Sequence, residues 1–210
     1  SHWHYYRYLQ WYYAPNYCNA KGCRTNHVHR IFPHKYRGHY AVDLGLSVKW
    51  ATCNVGATSP EGYGDYFAWG ETSPKTSYTH GNCKTSDKSM GGIGGDSRYD
   101  AATANWGSGW RLPTKSELDE LKDNCTWTWT KLNGVNGYEV KSKKNGNSIF
   151  LPAAGYRYSG TSECQGSRGY YWSSTTDSAY FAYYLIFYSG YHYMNCYYRY
   201  HGSSVRPVAE

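Results

Sequence analysis

Two ten-residue runs, Ala179–Tyr188 and Tyr191–Tyr200, flank Ser189-Gly190, and from Tyr180 to His201 they bring together nine tyrosines, two phenylalanines and two histidines. Aromatic residues at this density favour half-buried strands, and a Ser-Gly pair marks a turn between them. The two runs are therefore read as the last long strand pair of a sheet-rich domain. A stretch needed only for folding would bury branched aliphatics. Tyr188, Tyr191, Tyr193, Tyr197, Tyr198 and Tyr200 instead offer large rigid faces with a hydrogen-bonding tip at small rotamer cost, the chemistry of a paratope. The run Ser204-Val205-Arg206-Pro207-Val208 that follows is ordinary by comparison. Two readings compete: a surface that meets a ligand, or a sheet whose tyrosines fill its own packing.

At 210 residues the chain accommodates one domain of ordinary size and an extension, without needing metal or disulfide support. Aromatics make up 19% of it, with 23 glycines and 2 methionines, which suits many short strands and tight turns. The formal charge of +7 is not spread evenly. Residues 1–40 hold Arg7, Lys21, Arg24, Arg30, Lys35 and Arg37 with no acidic residue, and the remainder carries 16 basic and 15 acidic side chains. A nearly neutral body argues against a phosphate-tracking groove, so no nucleic-acid partner is expected for the main domain.

Six of the nine histidines (His2, His4, His27, His29, His34, His39) also fall in this opening segment, which shows no period of 3.6 or 2. Residues 1–38 are read as an atypical basic, aromatic arm or leader, and residues 39–210 as the folded ligand-binding domain. The histidines are read as scattered surface residues, since no carboxylate or cysteine completes a metal-binding set. Seven cysteines (Cys18, Cys23, Cys53, Cys83, Cys125, Cys164, Cys196) cannot all pair within one chain, and none forms a CxxC motif. Cys18 and Cys23 lie close enough in sequence to bridge, but spacing leaves connectivity and redox compartment open. No secretory h-region is visible, which leaves a cleaved leader possible, and Ala179–Tyr188 is too short to span a bilayer. No transmembrane segment is expected.

From Tyr40 the pattern becomes orderly. Ala41–Gly45 and Val48–Gly56 read as two short strands about a glycine turn, and Ser59-Pro60-Glu61 as the start of a brief helix. Residues 71–98, including Gly91-Gly92-Ile93-Gly94-Gly95, have little to bury and read as a long irregular loop that is no phosphate cradle. Asp96 and Asp100 at its end are too few for a calcium site and read as solvated. Thr114-Lys115-Ser116-Glu117 is a capping box, and Leu118 with Leu121 gives one apolar stripe, so a helix is expected over about residues 115–124. Trp127 and Trp129, Tyr138–Lys141, Ser148–Gly155 and Tyr170–Ser174 carry strand and hairpin signals.

Several of these blocks resemble a known family. Gly109-Trp110-Arg111-Leu112-Pro113-Thr114 with Glu117 is similar to the GWRLPT-x-x-E signature of bacterial domains with a C-type-lectin-type, formylglycine-generating-enzyme-like fold. Val42–Leu46, Trp50–Ala57, Tyr63–Glu71, Leu151–Arg157 and Tyr171–Ser174 resemble the Fibrobacter-type major paralogous domain, over about residues 39–208. The departure lies around Leu46-Ser47-Val48, where the family's usual Pro-Ser-Gly insertion is absent. The resemblance implies an α+β domain of the C-type-lectin type, with short antiparallel sheets, two or so short helices and long loops. Members whose Tyr/Asn/Ser/His-rich stretch ends in SVRPV resemble variable proteins diversified by retroelements, in which adenine-directed mutagenesis of asparagine codons randomises a ligand-binding face. By that analogy Ile186, Tyr188, Tyr191, Tyr193, Asn195, Cys196, Tyr197, Tyr198, Tyr200, His201 and Ser203 are the candidate variable contacts. Ser189, Gly190, Arg199, Gly202 and Ser204–Val208 look constant, and His192 and Met194 stand open between contact and scaffold.

Enzymes on the same scaffold use redox cysteines or a histidine iron site, and sugar-binding relatives hold calcium through EPN or QPD with WND triplets. None of these is evident here, and no GxSxG elbow appears. Cys196 is read as a random or buried thiol, and Glu117 and Asp119 as a cap and a solvated helix face. The expectation is a non-catalytic binding protein with no metal or cofactor, a protein ligand first and a glycan second. It would act outside the cell, at a bacterial surface or on a phage particle. The alternatives are a structural or glycan-binding surface domain without diversification and, behind it, an enzyme on a formylglycine-generating-enzyme-like scaffold.

Overall fold

A computed structural model of the protein describes residues 34–210. Readings placed on His2, His4, His27, His29, Cys18 and Cys23, and on the side chain of His34, lie outside the described residues. These residues form an α+β domain of short antiparallel sheets, two short helices and long loops.

The first sheet joins β1 (His34–Tyr36), β2 (His39–Val42), β3 (Lys49–Ala51) and β12 (Val208–Ala209) in that spatial order. Val208 pairs with Trp50, so the run that ends the tyrosine-rich region is tied to the strands that open the orderly part of the sequence. A second sheet consists of β4 (Cys125–Leu132), β5 (Val135–Ser142) and β6 (Ser148–Pro152), and a small hairpin of β7 (Tyr156–Tyr158) and β8 (Thr161–Glu163) follows. The central sheet has the order β11 (Tyr191–Tyr198), β10 (Phe181–Tyr188), β9 (Arg168–Thr176), with β11 at its edge. Gly190, at φ 88°, supplies the left-handed residue of the turn between β10 and β11.

Strand alternation gives the central sheet two different faces. Tyr171, Leu185 and Phe187 belong to one core, with Val140, Ile149, Leu151, Leu118 and Leu121, and Met194 packs against it. Trp172, Ala182, Tyr184 and Ile186 belong to a second core, with Phe67, Trp69, Ile93, Leu112 and Val205. Each fully buried Leu, Ile or Phe stabilises the fold by roughly 1.5–3 kcal/mol. Phe187 lies flat across Gly169 on the neighbouring strand, and a Cβ there would stand 2.1 Å from the ring. Only glycine allows the ring to reach the core at this point.

Helix α1 (Ala101–Trp106) was not expected, whereas α2 (Lys115–Asn124) is where the capping box places it. The Thr114 hydroxyl accepts from the Glu117 amide, the Glu117 carboxylate accepts from the Thr114 amide, and Arg111 grips the same carboxylate at 2.8 and 2.7 Å. The arginine and its amide donors hold the Glu117 carboxyl below its ordinary pKa against the opposing effect of burial. Asp100, expected to be solvated, is fully buried at the N-cap of α1. It accepts from the amides of Gly95, Ala102, Thr103 and Leu112, so it fastens both the loop before α1 and the strand-like segment before α2. The helix expected at Ser59-Pro60-Glu61 is a turn instead.

Residues 71–98 are irregular, as expected, apart from a single 3-10 turn at His80–Asn82, but they are not empty of core. Tyr78, Thr85 and Ile93 are buried, and the Tyr78 ring packs against Gly202, where a Cβ would come within 2.6 Å. Among the described residues no helix is long and apolar enough to cross a membrane.

Candidate ligand-binding face

The β10–β11 register decides which tyrosines share a side. Tyr188 stands opposite Tyr191, Ile186 opposite Tyr193, Tyr184 opposite Asn195 and Ala182 opposite Tyr197. On the other flank of β10, Tyr188 meets Arg168, Ile186 meets Tyr170 and Tyr184 meets Trp172. Directly opposed residues of an antiparallel pair point the same way, so these eleven side chains form one face. Its inner members, Trp172, Ala182, Tyr184 and Ile186, lie in the second core. Its outer members on β11 stay in solvent, with Tyr191 at 61% exposure and Tyr193 and Tyr197 at 41% each.

The reverse side of β11 carries His192, Met194, Cys196 and Tyr198. His192 stacks on Trp127 at 4.5 Å and Met194 packs on the first core, which makes both scaffold. Cys196 is half-buried and unpaired, and burial pushes its thiol pKa up, away from thiolate reactivity. Tyr198 leans on Phe181 at 4.6 Å and stacks on Tyr200 at 5.1 Å. Cys196 and Tyr198 therefore do not share a side with Tyr191, Tyr193, Asn195 and Tyr197. Among the described residues Cys53, Cys83, Cys125 and Cys164 are also unpaired.

Below Tyr197 the face dips into an open-mouthed cavity of about 240 Å³, lined by Tyr156, Arg168, Tyr170, Trp172, Tyr184, Ile186, Tyr197, His201 and Ser203. Ile186, His201 and Ser203, expected as contacts, are thus buried residues that reach a ligand only through this cavity. The remaining lining residues on β7, β9 and β10 were not expected. The alternation Arg168, Tyr170, Trp172 on β9 was the available signal, because it repeats the parity of β10.

The rings of the cavity brace one another. Tyr156 lies 4.9 Å from Tyr170, Tyr170 5.8 Å from Tyr184, and Tyr184 6.1 Å from Tyr197. Each such pair adds about 0.5–1.5 kcal/mol beyond burial. His201 sits among Tyr156, Tyr158, Tyr197 and Tyr200 at 4.6–5.3 Å. Burial lowers its pKa to about 4, so at neutral pH it is an uncharged imidazole. Arg168 lies over the Tyr188 ring at 5.5 Å, and its interaction with Tyr170 raises its pKa.

The segment that follows β11 is buried throughout from His201 to Ala209, and Arg199 just before it is also fully buried. The Arg199 guanidinium covers Trp69 at 4.4 Å. It donates to the carbonyls of Thr85, Lys88 and Ser178 and to the Thr176 hydroxyl, fastening the long loop to the end of the central sheet. Arg206 donates to Asn54 Oδ1 at 2.9 Å and to the Ala51 carbonyl at 3.2 Å.

A family model described as "Domain of unknown function (DUF8237)" matches residues 127–208, from Trp127 on β4 to the first residue of β12. That span contains the whole face and all but Ala209 of the buried segment after it. No curated protein and no solved structure matches the chain.

Proposed function

We propose that the chain is a non-catalytic ligand-binding domain of the C-type-lectin type, which captures a protein through the tyrosine face of β9–β11. The observation that carries this reading is the position of Tyr191, Tyr193, Asn195 and Tyr197: neighbours on one side of an edge strand, exposed, with His192 and Met194 of the reverse side packed on Trp127 and the first core. Large rigid aromatics with polar tips are the usual hot spots of protein interfaces, and tyrosines left in water give the fold little in return. Short antiparallel sheets, two short helices and long loops support the fold class that the Trp110–Thr114 resemblance implies.

Diversification belongs to the same proposal. The outward residues of β11 are three tyrosines and an asparagine, types reached from an asparagine codon by replacing adenines, and the residues that looked constant from Arg199 onward, Gly202 and Ser204–Val208 included, are buried. The division is incomplete, since Ile186, His201 and Ser203, counted by analogy among the variable contacts, are buried as well. The setting proposed is extracellular, on a bacterial surface or a phage particle, with no cofactor.

The test is a joint one. The purified chain is screened against surface proteins, and the captured protein is then offered to the variant carrying Tyr191→Ser, Tyr193→Ser and Tyr197→Ser. Loss of capture by a variant that still unfolds cooperatively supports the reading, whereas full capture by the variant overturns it. A nearby template copy differing mainly at adenines, beside a reverse transcriptase gene, would establish the diversification.

A further inference from the structure

The proposed reading says that the face binds a protein but not what enters its cavity. We infer that the cavity beneath Tyr197 receives one tyrosyl side chain of the protein ligand, with an acidic residue beside that tyrosine meeting Arg168. The inference rests on the reading of β9–β11 as the ligand-binding face, and three observations carry it further.

The first is an unmet hydrogen bond. His201 is 6% exposed and lines the cavity, and its Nδ1 is buried without a hydrogen-bond partner. A buried polar atom left unpaired costs stability, and because Nδ1 is shielded from solvent a ligand group meets it only when the His201 ring turns toward the cavity, a rotamer change of the kind that binding commonly brings. As a neutral imidazole His201 offers one donor and one acceptor nitrogen. A phenolic hydroxyl, which both donates and accepts, satisfies Nδ1 in either tautomer.

The second is the make-up of the walls. Tyr156, Tyr170, Trp172, Tyr184 and Tyr197 surround the space with rings, and no carboxylate or carboxamide lines it. A sugar ring brings several hydroxyl donors that need strong acceptors, and this lining has few. A tyrosyl ring needs aromatic edges and faces around it and a single polar partner at its tip. A space of about 240 Å³ suits one side chain of this size better than an extended ligand.

The third is charge. Arg168 is the cation of the lining, it is exposed, and it stands at the end of β9 beside Tyr170 and Tyr188. A guanidinium in this position favours a carboxylate on the ligand next to the inserted ring.

The probe is N-acetyl-Asp-Tyr-amide, titrated into the full chain while the His201 ring resonances are followed by NMR. N-acetyl-Asp-Phe-amide, N-acetyl-Asn-Tyr-amide and methyl glucuronide serve as comparators. The expected result is a shift at His201 with affinity for the Asp-Tyr probe about tenfold above the Asp-Phe probe, the factor that one hydrogen bond worth ~1.4 kcal/mol supplies. His201→Phe should abolish the preference for Tyr over Phe. Arg168→Gln, at an exposed position, should abolish the preference for Asp over Asn and keep that for Tyr over Phe. Equal affinity for the Tyr and Phe probes, tighter binding of methyl glucuronide, or no shift at His201 would each overturn the inference. The probe comparison on the unaltered chain needs no variant to fold. If the probes leave the cavity untouched while the triple serine variant still loses its captured protein, the cavity assignment alone falls. If that variant keeps its capture, the reading of the face falls with it.

Discussion

β11 and the segment directly after it are neighbours in sequence and do opposite things. Tyr191, Tyr193, Asn195 and Tyr197 point into solvent, while Arg199, His201, Ser203, Ser204, Val205 and Arg206 are buried within the next few positions. Of the first group only Tyr197 reaches the second core, through Tyr184, and it also meets His201. The second group holds the loop at Thr85 and Lys88, the sheet end at Ser178 and the strand segment at Ala51 and Asn54. Charge, normally the mark of a surface, is here the mark of the frame, and aromatic rings, normally the mark of a core, are on the outside. The inversion works because each arginine meets carbonyl and amide oxygens where it is buried, and because each outward tyrosine keeps its hydroxyl in water.

The comparison breaks most visibly at Arg199. Arg199→Ala leaves three carbonyls without their donor and a cavity against Trp69, and is expected to cost about 3–5 kcal/mol, read as a fall in denaturation midpoint. Next in size is the loss of function without loss of fold. Tyr191→Ser, Tyr193→Ser and Tyr197→Ser together should weaken capture on the order of 100-fold, with a stability loss of about 1–3 kcal/mol in the same denaturation assay, from the ring pairs of Tyr191 with Tyr188 and of Tyr197 with Tyr184. Thr114→Ala removes the cap of α2 and should cost about 1 kcal/mol while leaving capture unchanged, since α2 packs behind the sheet and not on its tyrosine face.

The last effect is confined to acid pH and concerns His201. Its folded pKa of about 4 lies below the ordinary imidazole value of 6.5, so between those values the unfolded chain holds the extra proton. Stability should therefore be complete above pH 6.5 and decline as pH falls toward 4. Burial raises the Tyr156 and Tyr200 hydroxyls beside His201 further above that window, while Glu117, His39 and His192 keep their own shifts in both proteins. The melting temperature of His201→Phe should consequently change less across the window than that of the unaltered chain.

Local signals in the sequence were legible where physics is local. The capping box at Thr114 and Glu117 placed α2, and the alternation of aromatics with Ser189-Gly190 placed the β10–β11 hairpin. Asp100 was misread because its four amide partners come from Gly95, Ala102, Thr103 and Leu112, and only the fold brings Leu112 to it. The turn at Ser59-Pro60-Glu61 shows the reverse: a local start signal with no apolar stripe after it to pack a helix. The candidate contacts on β11 were identified as a group, but their division into two sides needed the register with β10. The cavity needed more still, since Tyr156 and Arg168 enter it from strands that no spacing links to His201.

The account is tested most directly by randomising Tyr191, Tyr193, Asn195 and Tyr197 together in a displayed library of the full chain and sorting the same library separately for folding and for binding. The prediction is that most members display as folded protein while the captured ligands change from member to member. A library in which most members fail to fold would contradict it, placing those four side chains in the frame rather than on the face.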